Sequence, residues 1–483
     1  MVFTNFVGPS YRARSPAIAA EDLINLYTEA TETQGPAKTH TFYGTPGLSR
    51  LLTVGTNSCR GWFAQDGRTF TVVGDQLYAV DLFARTATPL GTIVDDSLPV
   101  SFASNGRGGE QLAIVGGGQL KILTLTTSVL SAAVVLPLTN PPVVIDFING
   151  YFVLLEKNTV RVWFSALENG LLWDALDVFA VSVFSCNLVG LKVLRDRIWL
   201  FGSQATVIYY DSGDADNPFV PYPGSVMQEG LGSPYGVTIQ GESVFWLAQD
   251  NLGQHRMVMA SDYAPTVIST PAISFAVASY PTVTDVEVLT YEQEGHPFVA
   301  WTFPQGETLV YDVREQEWHK RDTWNPTQGV GGRWRVRGCC AAGGRILCGD
   351  YLTGALYALD LDTFTDDDVP IRRLRRTPYL SAENQWLFVD RFELGIQAGI
   401  GTSGQGVAPQ VLFRLSRDRA QTWTPPLAAS LGAQGAFVTR AVWRTLGRVR
   451  ADRLVCETTM TDPVRCVWGP GAWIRARPGS GQN

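Results

Sequence analysis

The chain has 483 residues, of which 45% are hydrophobic, 11% aromatic and 17% charged, with a formal charge of −7. That length suits two or three domains of roughly 150 residues. The acidic balance excludes a protein that wraps nucleic acid with a general basic face, and 48 Gly with 27 Pro point to a turn-rich fold rather than to long helices.

The opening, MVFTNFVGPSYRARSP, lacks the charged start and apolar core of a secretory signal. The longest apolar stretch, 129–138, falls far short of the ~20 residues that span a bilayer. The expectation is a chain made and folded in a cytoplasm. Seven cysteines are present, with Cys339, Cys340 and Cys348 the only close group and no Cys-x-x-Cys pair, so free thiols are expected.

From about residue 59 one unit returns seven times: a strand, a turn rich in Gly, Asp or Asn, and a second strand, often followed by Asp. The copies are FTVVGDQLYAVDLF (70–83), LAIVGGGQLKILTL (112–125), FVLLEKNTVRVWFS (152–165), IWLFGSQATVIYYD (198–211), VFWLAQDNLGQHRMVMAS (244–261), FVAWTFPQGETLVYDV (298–313) and ILCGDYLTGALYALDLD (346–362). Their spacing of roughly 40 to 50 residues is the period of a four-stranded propeller blade. Alternation within a copy puts Leu77, Ala79 and Asp81 on one face and Tyr78, Val80 and Leu82 on the other. A lone hairpin is unstable, so the copies must bury their faces against one another in a ring. The fold class is therefore all-β: a β-propeller of six or seven blades over 59–368, with 1–58 packing on or closing it. An evenly spaced β-sandwich is the competing arrangement for this region.

After Asp366, Asp367 and Asp368 comes IRRLRRTPYL, with Arg372, Arg373, Arg375 and Arg376, which reads as a domain junction. Residues 369–483 then read as a C-terminal β-rich, sandwich-like domain. Within it, SRDRAQTW resembles an Asp-box hairpin, in which Ser416, Asp418, Thr422 and Trp423 build a tight turn. Ala420 stands where that motif has Gly, so a distorted turn is expected. The motif occurs in sialidase propellers but is structural there too.

Chemistry is hard to find. His40, His255, His296 and His319 are widely separated, and no metalloprotease helix, nucleophile elbow or phosphate loop is present. Gly116, Gly117 and Gly118 fall in a hairpin turn. Asp211, Asp214 and Asp216 lack the glycine and terminal Glu of a calcium loop. No catalytic residue, metal site or cofactor is expected.

Several segments, in order, carry a resemblance: LINLYTEATET, TFYGTPGLSRLL, SCRGWFAQDGRTFTVVGDQLYAV, IWLFGSQATVIYY, LVYDVREQEWHKR, CGDYLTGALYALDLD and RTLGRVRADRLVCETTMTDPVR. Together they resemble the packaged-DNA stabilisation proteins of short-tailed bacteriophages, also called head-to-tail stopper or tail hub proteins. The resemblance implies a structural virion protein in a six-fold homo-oligomeric ring below the portal and adaptor. Such a ring closes the head after packaging, lines the channel for ejected double-stranded DNA and docks tail fibres, spikes or a needle. With no catalytic motif and no spanning stretch in the sequence, neither an enzyme nor membrane insertion is expected. Under the resemblance, Arg372, Arg373, Arg375 and Arg376, with Arg440, Arg444, Arg448, Arg450 and Arg453, are candidate interface residues. The irregular loops 211–236 and 325–338 are candidate docking elements. A carbohydrate-active tail propeller and a generic propeller scaffold are the other classes these residues allow.

Overall fold

The structure, a computed structural model, describes residues 2–3, 6–31, 39–214, 218–380, 384–401 and 406–479. The seven hairpins of the repeat are the two central strands of seven successive sheets. In the first, Cys59–Gln65 pairs with Arg68–Val73, which pairs with Gln76–Asp81 and then Thr86–Thr92. The Asp that often follows each copy has a local task. Asp81 Oδ1 accepts from the backbone N–H of Phe83 and Ala84, both at 2.8 Å, and Asp312 Oδ1 accepts from Arg314 and Glu315. These carboxylates cap the turn into the outer strand.

Each sheet buries both faces, one against each neighbour. Leu77 packs with the second blade, whereas Val80, with Tyr78 and Leu82 around it, packs with the seventh. Seven separate apolar clusters fill the junctions one after another, and the last joins Leu347 and Leu356 to Cys59, Trp62 and Val73. A closed ring of seven blades follows, since every blade has a partner on each side. Ring closure uses the N-terminal segment: Gly47–Thr53 is the outer strand of the seventh blade, antiparallel to Ala355–Asp360. Leu48 and Tyr357 of these two strands are both buried. The innermost strands surround an axial channel of about 680 Å³, whose wall includes Arg60, Phe102, Phe147, Lys192, Tyr235 and Arg337.

The C-terminal region is a sandwich, and the start of the chain is woven into it. One sheet runs Leu26–Thr31, Thr39–Gly44, Val467–Pro478, Trp386–Ile396, Ala441–Arg450. The other runs Ala20–Ile24, Arg373–Arg376, Val455–Met460, Gln410–Ser416, Leu427–Ser430, and a parallel bridge from Ile24 to Lys320 joins it to the sixth blade. The core between them contains Phe6, Leu26, Phe42, Phe392, Phe413, Trp443 and Trp468. Residues 1–58 are thus divided: the strands up to Gly44 belong to the sandwich, and only Gly47–Thr53 closes the propeller. Among the described residues no helix is long and apolar enough to cross a membrane.

Candidate interface on the sandwich

The two arginine groups singled out in the sequence have opposite fates. Arg373–Arg376 is an interior strand, flanked by Ala20–Ile24 on one side and Val455–Met460 on the other. Arg375 is fully buried; its Nε donates to the Phe6 carbonyl at 2.7 Å and its Nη1 to the Pro9 carbonyl at 3.0 Å. Burial brings its pKa down to about 10. Arg373 is likewise buried, its Nη1 3.4 Å from the Asp462 carbonyl. Arg376 donates twice to Glu457 Oε2, at 3.0 and 2.7 Å, while Arg414 donates to Oε1 of the same residue at 2.5 Å. Arg372 pairs with Asp322, which also accepts from Asn25 Nδ2 at 2.7 Å. These four side chains hold the sandwich together and tie it to the sixth blade. Two of them are buried and the other two are paired with carboxylates of their own chain, so they are less available to another protein than the second group.

The second group lies outside. Ala441–Arg450 is the end strand of its sheet, with Ala441, Trp443, Leu446 and Val449 turned into the core. Alternation therefore puts Arg444 and Arg448 on the outer face, where both are exposed, and Arg450 half-exposed beside them. The neighbouring strands extend this face. Arg444 stands opposite Arg391, which stands opposite Arg475; in the next row Arg448 stands opposite Phe388, and Phe388 opposite Arg477. Arg391, Arg475 and Arg477 gave no signal in the sequence, since only the pairing of distant strands collects them.

Compensation is partial. Glu393 pairs with Arg391 and Arg440, and Asp390 accepts both Nε and Nη2 of Arg477 at 2.8 Å. Arg448 and Arg450 lie over the Trp386 ring, at 4.0 and 5.0 Å from its centroid. Partial burial, then the charges of Arg440, Arg444 and Arg475, push the Arg391 guanidinium below its ordinary range. Phe388 and Trp473 are exposed on the same side. Arg453 sits apart, in a short 3-10 turn beside Asp452. Like charges directly opposite in a sheet repel, so a row of Arg444, Arg391 and Arg475 is costly unless an anionic surface covers it. The arrangement can bind carboxylates or phosphates and offers aromatic surface between them.

The Asp-box-like turn forms despite Ala420. Asp418 Oδ1 accepts from the backbone N–H of Gln421 and Thr422 at 3.1 and 2.8 Å, and these bonds with those from Thr422 and Ser416 side chains hold its pKa down to about 2. The Trp423 ring packs against the guanidinium groups of Arg376 and Arg414, at 5.0 and 4.9 Å from its centroid. Ala420 takes φ = 65°, the left-handed conformation that a glycine adopts without strain. Ala420→Gly is expected to stabilise the chain by about 1 kcal/mol, read as a higher urea midpoint with an unchanged slope. An unchanged or lower midpoint would show that the turn carries no such strain.

The remaining candidates fall into structural places. His296 and His319 are buried in the sixth blade around Phe298, with His296 Nδ1 2.7 Å from Asp312 Oδ2. Asp211 accepts from the backbone N–H of Gly213 and from Asn149, while Asp216 lies outside the described residues. Of the two irregular loops, 211–236 contributes Phe219–Pro221 to the fourth blade, and 325–338 projects an exposed hairpin whose return strand is Val330–Arg333.

Two sequence profiles match the chain. The family described as Bacteriophage P22 Gp10, beta-propeller, covers residues 10–364, and that described as Bacteriophage P22 Gp10, beta-sandwich, covers residues 372–469. No curated protein matches in sequence. Among solved structures, the N-terminal domain of Nup159 is 12% identical over 70% of this chain and 99% of its own, with a TM-score of 0.41. A structure titled as the mitotic checkpoint complex is 9% identical over 69% of this chain and 96% of its own, with a TM-score of 0.43. PorZ of Porphyromonas gingivalis is 14% identical over 64% of this chain and 37% of its own, with a TM-score of 0.35.

Proposed function

Because the chain belongs to the bacteriophage P22 Gp10 family and is a structural protein of the phage particle, we propose that it forms a six-fold ring in the tail, below the portal and its adaptor. In this reading the ring closes the head after packaging, lines the path of the ejected genome and docks fibres, spikes or a needle. It performs no catalysis. The observation that carries the reading is the ordered match of both family domains over nearly the whole chain. We take the propeller to comprise Gly47–Thr53 with the seven sheets that follow, and the sandwich to comprise the strands before and after them.

Physical features support the division of labour. The axial channel, at about 680 Å³, is walled by side chains of successive blades, Phe63, Phe102 and Phe147 among them. In the proposed ring, DNA would pass between subunits rather than through a propeller. An acidic chain of formal charge −7 would let it pass without the phosphate grip that slows ejection. The outer arginine face, being the exception to that balance, is the surface proposed to meet a carboxylate-rich neighbour in the ring or adaptor.

Replacing Arg444, Arg448 and Arg450 together with Glu tests that contact. Exposed charges contribute little to folding, and the change relieves the repulsion between Arg444 and Arg391, so melting should shift by no more than a few degrees. Incorporation into particles should fall about tenfold or more, because like charges across an interface cost several kcal/mol. Normal incorporation of a folded triple variant would remove this face from the assembly.

A further inference from the structure

Cys339 and Cys348 stand directly opposite one another on the innermost and second strands of the seventh blade. Both side chains join the same apolar cluster, on the face toward the sixth blade, with Cys348 fully buried and Cys339 at its margin. Cys339 also borders the axial channel, which gives small solutes a route to it. Its neighbour Cys340 turns the other way and packs with Cys59 at the junction to the first blade. All four are free thiols. Directly opposed residues of an antiparallel pair have Cα atoms about 4.5–5.5 Å apart, inside the roughly 4.4–6.8 Å that a disulfide spans.

We propose that Cys339 and Cys348 are a redox pair that closes to a cross-strand disulfide in the wall of the axial channel. With a small dialkyl disulfide as oxidant, the Cys339 thiolate attacks one sulfur, forming a mixed disulfide and releasing one alkyl thiolate. Cys348 then gives up its proton, attacks Cys339 Sγ and releases the second alkyl thiolate. The two protons lost by the cysteines end on the two released thiols, and the two electrons pass from the cysteine sulfurs to the oxidant. Burial and the adjacent Cys339 hold the Cys348 thiol well above its ordinary range, so the closing step speeds up as pH rises. The order of attack follows access: Cys339 meets the reagent and Cys348 resolves it. The proposal does not depend on the place of the protein in a particle.

The test uses the purified full-length chain incubated with hydroxyethyl disulfide at pH 7 and pH 9, then unfolded, alkylated and digested with trypsin. Cleavage after Arg337, Arg345 and Arg372 separates peptides 338–345 and 346–372. The expected product links these two peptides through Cys339 and Cys348, forms faster at pH 9, and persists in Cys340→Ser. In Cys348→Ser the reaction should stop at a hydroxyethyl adduct on Cys339. A wild-type digest in which both residues remain alkylated after prolonged exposure at pH 9 would overturn the proposal. So would linkage of Cys339 to Cys340, or of Cys340 to Cys59, in its place. The wild-type map decides the matter even if a serine variant fails to fold.

Discussion

Tyr357→Asp is expected to abolish cooperative folding, with a loss on the order of 5 kcal/mol. The Tyr357 ring is fully buried in the seventh blade, where it packs with Trp334, Cys348 and Leu48. Its hydroxyl donates to Asp350 Oδ2 at 2.8 Å and lies 3.2 Å from Asp367 Oδ2. The substitution removes the ring from a packed core and sets a third carboxylate beside these two. Arg335, 2.7 Å from Asp350 and 3.5 Å from Asp367, is already shared between them. Domain stabilities are about 5–15 kcal/mol, so one such change consumes much of the margin. The strand also pairs with Gly47–Thr53, and its disruption opens the ring. Thermal unfolding of the purified variant should show no native-like transition. Tyr78→Asp is a milder comparison, because Tyr78 in the first blade is only half-buried. Unchanged melting of Tyr357→Asp would contradict the closed seventh blade.

Glu457→Ala is expected to cost about 3–5 kcal/mol, the usual penalty for removing one partner of a buried ion pair. Glu457 is 1% exposed and accepts from Arg376 and Arg414, whose guanidinium groups pack against Trp423. Without the carboxylate, the two cations that shared it are left uncompensated beside one aromatic ring, with Asp22 at 3.9 Å the remaining carboxylate near Arg376 among the described residues. Glu457→Gln keeps an acceptor and should cost less. Urea unfolding of the full chain, followed by tryptophan fluorescence, reads both variants. If Glu457→Ala unfolds at the wild-type midpoint, the internal role assigned to Arg376 is wrong.

The repeat was legible because a blade is built from local pairing: alternation, a tight turn and an Asx turn all lie within fifteen or so residues. Blade number was left at six or seven because the first strands are uneven, from seven residues in Cys59–Gln65 to four in Ser101–Ser104, and do not repeat as the central hairpins do. What closes the ring was hidden for a different reason. The pairing of Gly47–Thr53 with Ala355–Asp360 joins residues some 300 apart, and no local signal announces such a pair.

The arginines show the same limit at the level of single side chains. The run from Arg372 to Arg376 looks like a basic surface in one dimension, yet its strand has neighbours on both edges and carboxylates waiting on other elements. In 440–450 the apolar residues at 441, 443, 446 and 449 already mark the inner face, so the exposure of Arg444 and Arg448 is readable from alternation. Their companions Arg391, Arg475 and Arg477 are isolated in the sequence and become a surface only when three strands lie side by side. The Asp-box-like turn was legible from its spacing, whereas the packing of Trp423 against two arginines depends on strands far apart in the chain.

The central claim, that this chain seals the packaged genome, is tested most directly by the DNA content of particles assembled without it. Heads purified from such an assembly and treated with nuclease should be filled at first and then lose their DNA, and addition of the purified protein before release should preserve it. Particles that lack the protein, keep their DNA and infect normally would contradict the account.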